Sequence, residues 1–340
     1  MAWWAVADAG PSAVGRGPGT CGSLLGVPTT TPQVRASLIV LNYEGEAVIG
    51  QCIASLLASA GEDDELIVVD NGSLDTSVDI LHTFGGQIRL VLLDYNTYIF
   101  GLNRGLDVAR GEFVAFLNND MTVEVDFVDR CVDALQSGGD DVFAACPRII
   151  EVRTGADQGS RTAGYWENGL LFYRPLPHVA TISDCFFAVG GQSFFRRSYL
   201  EEIGSIDPLF WPMYHEDLEL SYRAWKRGWR ILYVPDAVVH HLGGYSSKKV
   251  FSPVQLRSFV KQNELLMVWK NFTDRRLIVQ HVALLLPRLA LALVRGDVAT
   301  LMGFRAAVAR APQALRARRQ AKRHFRRSDA EVLALVGGIR

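Results

Sequence analysis

Along residues 1–34 the apolar positions follow no period. Six glycines, four prolines and the run Thr29-Thr30-Thr31 interrupt every candidate element, so a disordered extension is expected there. It has no basic leader and no continuous apolar stretch, and a signal peptide is not expected. From residue 35 the pattern changes. Short apolar runs of the kind that form strands buried on both faces occupy residues 36–41 (ASLIVL), 66–69 (LIVV), 88–93 (IRLVLL), 113–117 (FVAFL) and 142–146. Between them lie segments with helical character: Ile49, Ile53, Leu56 and Leu57 fall at helix spacing, and 75–82, 103–109 and 125–135 follow. Alternating strands and helices with short connections predict a mostly parallel sheet flanked by helices, an α/β class.

Beyond Pro147 the regularity weakens. Residues 151–165 are polar and glycine-rich and read as a mobile loop; 189–196 (VGGQSFFR) and 230–234 read as strands, and 216–227 as a helix. An acceptor site built from variable segments is expected in this half.

Ligands of open parallel sheets bind outside the carboxyl ends of the strands. The polar residues at those ends are therefore the first candidates: Asn42 and Tyr43, then Asp70, Asn71, Gly72 and Ser73, then Asn118, Asn119 and Asp120. No G-x-G-x-x-G follows the first strand and no G-x-x-x-x-G-K-[ST] occurs, so neither a dinucleotide fold nor a P-loop is predicted. Without a glycine-rich cradle a diphosphate would need a divalent ion, with Asp120 the best-placed ligand.

Taken in order, Val69-Asp70-Asn71-Gly72-Ser73, Asn96, Gly101-Leu102-Asn103-Arg104-Gly105, Phe116-Leu117-Asn118-Asn119-Asp120, Gly190-Gly191, Arg196-Arg197, Gly204, Asp207, the segment YHEDLELSYR at 214–223, Gly228-Trp229 and His241 resemble the inverting family 2 glycosyltransferases of GT-A fold, in particular bacterial rhamnosyltransferase-like members. The resemblance runs from about residue 36 to 272. It implies contacts to a sugar nucleotide from Asn42, Tyr43, Asp70, Asn71, Gly72, Asn103, Arg104, Asn118 and Asn119. It implies a Mg²⁺ or Mn²⁺ ion on Asp120 with His241 nearby, Asp217 as the catalytic base and Glu216 in support. Rhamnose from a dTDP donor is the first sugar it suggests, moved with inversion to a glycan or lipid-linked acceptor in bacterial cell-envelope or polysaccharide assembly. Two positions depart from the pattern: Asn118 replaces an acid often found in the metal motif, and Tyr98 stands where many members have glycine. A nucleotidyltransferase would carry a glycine-rich, arginine-containing loop after the first strand, which is missing. A non-catalytic sugar-nucleotide-binding or scaffold protein of the same fold is the alternative of a different class.

Charge adds a further division. The chain's formal net charge is −1, yet residues 275–327 hold thirteen basic residues against the single acid Asp297. A GT-A domain over 35–272 followed by a basic helical tail over 273–340 is the expected organisation. Leu277 to Val294 is apolar but for Gln280, His281 and Arg288, and Pro287 interrupts it. An arginine near a bilayer centre costs about 2.5–3.5 kcal/mol, which argues against a spanning helix. A helix on an anionic membrane surface is expected instead, with Leu301, Phe304, Val308 and Leu315 inward and Arg305, Arg316, Arg318 and Arg319 toward headgroups. Docking of this helix on the catalytic domain, or a homo-oligomer contact, stays open. No aromatics interleave the charge, so nucleic acid is not an expected partner. Five scattered cysteines without a C-x-x-C pair point to reduced thiols and a cytoplasmic setting, and the basic tail adds the expectation of a peripheral place on the inner face of the plasma membrane.

Overall fold

The computed structural model describes residues 34–242 and 250–339. The expected disordered extension lies outside these residues, apart from Val34. In chain order the first half runs β1 (Ala36–Asn42), α1 (Ile49–Ser59), β2 (Glu65–Asp70), α2 (Ser77–His82), β3 (Arg89–Leu92), α3 (Gly101–Leu106), β4 (Phe113–Asn118), β5 (Met121–Val123), α4 (Phe127–Ser137) and β6 (Val142–Glu151). Then come β7 (Thr162–Glu167), β8 (Leu170–Pro175), β9 (Ser183–Asp184), β10 (Gln192–Arg196), α5 (Arg197–Ile203), α6 (Glu216–Lys226) and β11 (Arg230–His241). Four more elements close the chain: α7 (Pro253–Asn271), α8 (Arg275–Val294), α9 (Val298–Ala321) and α10 (Asp329–Val336), with the short β12 (Gly337–Ile339) at the end.

A nine-stranded sheet has the order β3-β2-β1-β4-β10-β6-β11-β5, with β9 on β11. β1, β2, β3 and β4 are mutually parallel, as their continuous apolar runs predict, and Asn42 pairs in register with Asp70. β10 then enters antiparallel to both β4 and β6. The run VGGQSFFR predicts a strand there, but its direction is set by the long excursion that precedes it. β11 continues through Pro235, because a register shift between Val234 and Val238 spares the ladder a missing N–H donor.

The segment 151–165 is only partly a loop. Its last residues enter β7, which pairs antiparallel with β8 in a separate three-stranded sheet. One face of the main sheet is covered by α1 and α4 through Cys52, Ile53, Leu56, Phe127, Cys131 and Leu135. Trp166, Phe186, Trp225 and Leu266 belong to the cluster on the other.

The basic C-terminal stretch is helical and packs on the body. α9 lies along α7, where the small buried residues Ala299, Gly303, Ala307 and Ala314 allow close approach. Arg310 donates to the carbonyls of Leu209 and Trp211 at 3.0 and 2.6 Å, and Arg318 to that of Trp269 at 3.3 Å. Arg318 therefore faces protein, and Leu301 and Phe304 are half-buried; Val308, Leu315, Arg305, Arg316 and Arg319 are exposed.

Candidate functional site

A cavity of about 380 Å³ opens beyond the carboxyl ends of β1, β2 and β4. Of the residues singled out from sequence, Tyr43, Asn71, Asn118, Asn119, Asp120, Glu216 and His241 line it. Asn42 and Asp70 lie buried behind the wall. Asn42 donates to Asp70 at 2.8 Å and accepts from Asn119 at 2.8 Å, tying three strand ends together. This bond explains Gly45: a Cβ there would lie 2.2 Å from the Asn42 side-chain oxygen and 2.3 Å from the Asn119 amide nitrogen. Gly72 turns the chain at φ +77°, a conformation that favours glycine.

Asn71 is almost fully bonded to the next wall. It donates to Asn96 Oδ1 and the Tyr98 carbonyl, both at 2.9 Å, and accepts from the Thr97 N–H and hydroxyl, both at 2.8 Å. Tyr98 holds φ +54°, which accounts for glycine at that place in the resemblance. Its ring meets Trp211 edge-on at 4.9 Å and Phe251 at 5.4 Å, and it lines the cavity. Asn103 and Arg104 are elsewhere. Asn103 bonds the Ile206 carbonyl and the Ser205 hydroxyl, and Arg104 pairs with Asp107 on the exposed side of α3.

Asp120 sits in the turn from β4 to β5, and His241 ends β11; the pairing of His241 with Met121 brings them together. His241 Nε2 lies 3.2 Å from Asp120 Oδ1, while His241 Nδ1 bonds Gln158 Oε1 at 3.0 Å. Oε1 only accepts, so Nδ1 donates to it, and Nε2 is the ring nitrogen directed at the Asp120 carboxylate. With the ring neutral, Nε2 and the carboxylate oxygen form a pair of acceptors that a divalent cation would bridge. Their separation suits adjacent ligands of an octahedral ion with bonds of about 2.1 Å, and diphosphate oxygens and water would complete the shell. The residues therefore fit Mg²⁺ or Mn²⁺. Among the described residues no group of three or more His, Cys, Asp and Glu is clustered for a metal.

Glu216 and Asp217 open α6, directly after Tyr214 and His215, which both hold left-handed backbone (φ +72° and +68°). Such strain persists only where neighbours enforce it. Here Asn263 of α7 does so, donating to the carbonyls of Phe210, Met213 and Tyr214 at 3.1, 2.9 and 2.7 Å. Asp217 accepts the Gly190 N–H at 3.0 Å and the Leu218 N–H at 2.7 Å. Glu216 has no comparable support: its Oε2 is buried with no hydrogen-bond partner. Burial, then the Asp217 charge, pushes the Glu216 carboxyl up to about 8. Burial also raises Asp217, but its two backbone donors counter this. Of the pair, Asp217 is the one built to be ionised.

Glu216 also lines a second cavity of about 320 Å³. Its other walls include Tyr173 of β8, Phe187, Asp217 and Glu264 of α7. The sequence reading places an acceptor site in this half without naming Tyr173, Phe187, Glu264 or the positioning residue Asn263. They come from separate segments, and no local motif joins them.

The family model described as glycosyl transferase family 2 matches residues 37–204. EpsH of Bacillus subtilis, named as a glycosyltransferase, is 29% identical over 219 residues, 62% of this chain and 61% of its own length. The poly(ribitol-phosphate) beta-glucosyltransferase of Bacillus spizizenii is 25% identical over 177 residues, 50% of this chain and 26% of its own. The chain thus spans less than two thirds of either relative. Among solved structures, GalNAc-T7 with UDP, GalNAc and Mn²⁺ superposes with a TM-score of 0.59 at 17% identity, covering 72% of this chain and 49% of that one. S. aureus TarS 1-349 in complex with UDP gives a TM-score of 0.52 at 17% identity, covering 73% and 70%. At these identities the likeness is one of fold.

Proposed function

From the premise that the chain belongs to glycosyl transferase family 2 and has the GT-A fold, we propose that it moves a sugar from a nucleoside-diphosphate donor to an acceptor hydroxyl with inversion. One observation carries this reading: the two cavities meet at Glu216, with the Asp120–His241 pair on the first side and Asp217 on the second. The first cavity takes the nucleoside diphosphate and its sugar, and the second takes the acceptor.

Asp217 accepts the proton of the acceptor hydroxyl while that oxygen attacks the anomeric carbon, and the sugar–diphosphate bond breaks on the opposite face. The Gly190 N–H holds the Asp217 carboxylate in place. Asp120 and His241 would hold Mg²⁺ or Mn²⁺, whose chemistry when bound is neutralisation of the leaving diphosphate. Glu216 keeps its proton near neutral pH and offers a hydrogen bond at the boundary between the cavities.

Rhamnose from a dTDP donor is the first candidate, on the resemblance to rhamnosyltransferase-like members over about residues 36–272, and the acceptor is a glycan or lipid-linked glycan at the cytoplasmic face. The relatives' names, which include a poly(ribitol-phosphate) glucosyltransferase and a succinoglycan biosynthesis protein of Rhizobium meliloti, support a cell-envelope or polysaccharide setting. Incubating the purified chain with a panel of sugar nucleotides and Mn²⁺, and measuring released nucleoside diphosphate, tests the reading. Turnover of one donor above the rest is expected; no turnover of any donor, with and without added glycan acceptors, would sink it.

A further inference from the structure

α8 has two faces of opposite character. Its inner face carries the polar residues that break up the apolar run. Gln280 accepts from the Trp166 indole at 2.7 Å, His281 Nδ1 bonds the Gly169 carbonyl at 2.7 Å, and Arg288 donates to the Asn168 carbonyl at 2.6 Å. All three partners belong to the β7–β8 hairpin. Every polar side chain that argues against lipid is thereby turned toward protein.

The outer face is apolar without interruption. Val279, Val282, Leu286, Leu293 and Val294 are between 60 and 85% exposed, with Ala283 and Ala290 among them. Their spacing of three and four residues puts them on one stripe along the whole helix. A stripe of this size facing water marks an interaction surface. Exposed arginines bracket it, Arg275 and Arg276 in the first turn and Arg295 just past the end.

We propose that this outer face of α8 seats the protein in the plane of an anionic lipid bilayer, with the bracketing arginines on the headgroups. The sequence pattern suggests the α9 stretch for this contact, but α9 spends its small-residue face on α7 and Arg310 and Arg318 on backbone carbonyls. Charge selects the bilayer over a second copy of the chain. Two copies packed on this face would bring together two sets of the exposed Arg275, Arg276 and Arg295, whereas anionic headgroups complement them.

The seat also has a consequence for the site, and this part rests on the proposed function. The hairpin held by α8 supplies Leu171, Phe172 and Tyr173 to the second cavity, so that cavity stands beside the membrane and its acceptor is lipid-linked.

Flotation of the full chain with phosphatidylcholine vesicles, with and without phosphatidylglycerol, tests the seat independently of catalysis. Binding to the anionic vesicles is expected, weakening as salt is raised. Leu286→Glu with Leu293→Glu, both outward-facing, lowers the bound fraction about tenfold or more while leaving thermal unfolding and turnover with a water-soluble acceptor unchanged. Absence of binding to anionic vesicles overturns the proposal. So does undiminished binding by the double variant, or a wild-type dimer in light scattering that the same substitutions dissociate.

Discussion

The carboxylate of Asp217 accepts the backbone N–H of Gly190 at 3.0 Å, joining the start of α6 to the loop before β10 across 27 residues of chain. A second backbone donor, Leu218 N–H, holds its other oxygen. Both bonds favour the ionised form and fix its direction, which is what a base needs. Asp217→Asn keeps the shape and removes the proton acceptor. Turnover is expected to fall by about 10²–10⁴-fold, with the dissociation constant for the nucleoside diphosphate unchanged by calorimetry. Retained turnover in the variant excludes Asp217 as the base.

The strands β1, β2 and β4 and the polar residues at their ends were legible in sequence, because a strand buried on both faces must be continuously apolar and stops where polarity returns. Asn42, Asp70 and Asp120 stand out for that reason. What surrounds them was not legible. Asn42 and Asp70 look alike to Asn71 as strand-end residues, yet they brace the wall from behind, and only three-dimensional register shows it. The β7–β8 hairpin was hidden because its first strand begins in a glycine-rich, polar stretch and its stability comes from α8, more than a hundred residues away. Gln280, His281 and Arg288 read as interruptions until their partners are seen.

Glu216 sets a pH dependence. Its carboxyl is pushed up to about 8 by burial and by the Asp217 charge, so it is neutral through the physiological range and ionises above it. Activity should therefore fall as pH rises through about 8, as a second negative charge appears beside Asp217. Stability follows the same sign. The folded state holds this proton more tightly than the unfolded chain, so stability declines with rising pH between 4.5 and about 8. Glu216→Gln, which stays neutral, should abolish the alkaline fall in activity and raise the melting temperature at pH 8 relative to wild type more than at pH 5. Profiles of identical shape for the two proteins would refute this role.

Metal dependence follows from the Asp120–His241 pair. Chelation should abolish turnover, and Mn²⁺ or Mg²⁺ should restore it. Asp120→Asn and His241→Ala should each lower activity on the order of 100-fold and raise the Mn²⁺ concentration needed for half-maximal rate. Gln158→Leu removes the acceptor for His241 Nδ1 and frees the ring's tautomer, so a smaller shift in the same direction is expected. Full activity in chelator would remove the assigned role of Asp120.

The C-terminal residues brace the far end of the helix that carries Asp217. α6 is 11 residues long. Near its C-terminus, Lys226 and Tyr222 donate to the fully buried Asp329 at 2.7 and 2.8 Å. Asp329 also accepts the N–H groups of Thr273 and Asp274 at 2.6 and 2.7 Å, so one carboxylate ties α6, α10 and the start of α8 together. Its removal leaves the Lys226 ammonium, also fully buried, without its counter-charge. Breaking one side of such a pair costs about 3–5 kcal/mol, more than the pair contributes when compared with apolar residues of the same shape. Asp329→Ala should lower the thermal midpoint by several degrees, and adding Lys226→Met should recover part of the loss by removing the stranded charge. A midpoint unchanged by Asp329→Ala, or lowered further by the second substitution, would show that the buried pair does not anchor α6.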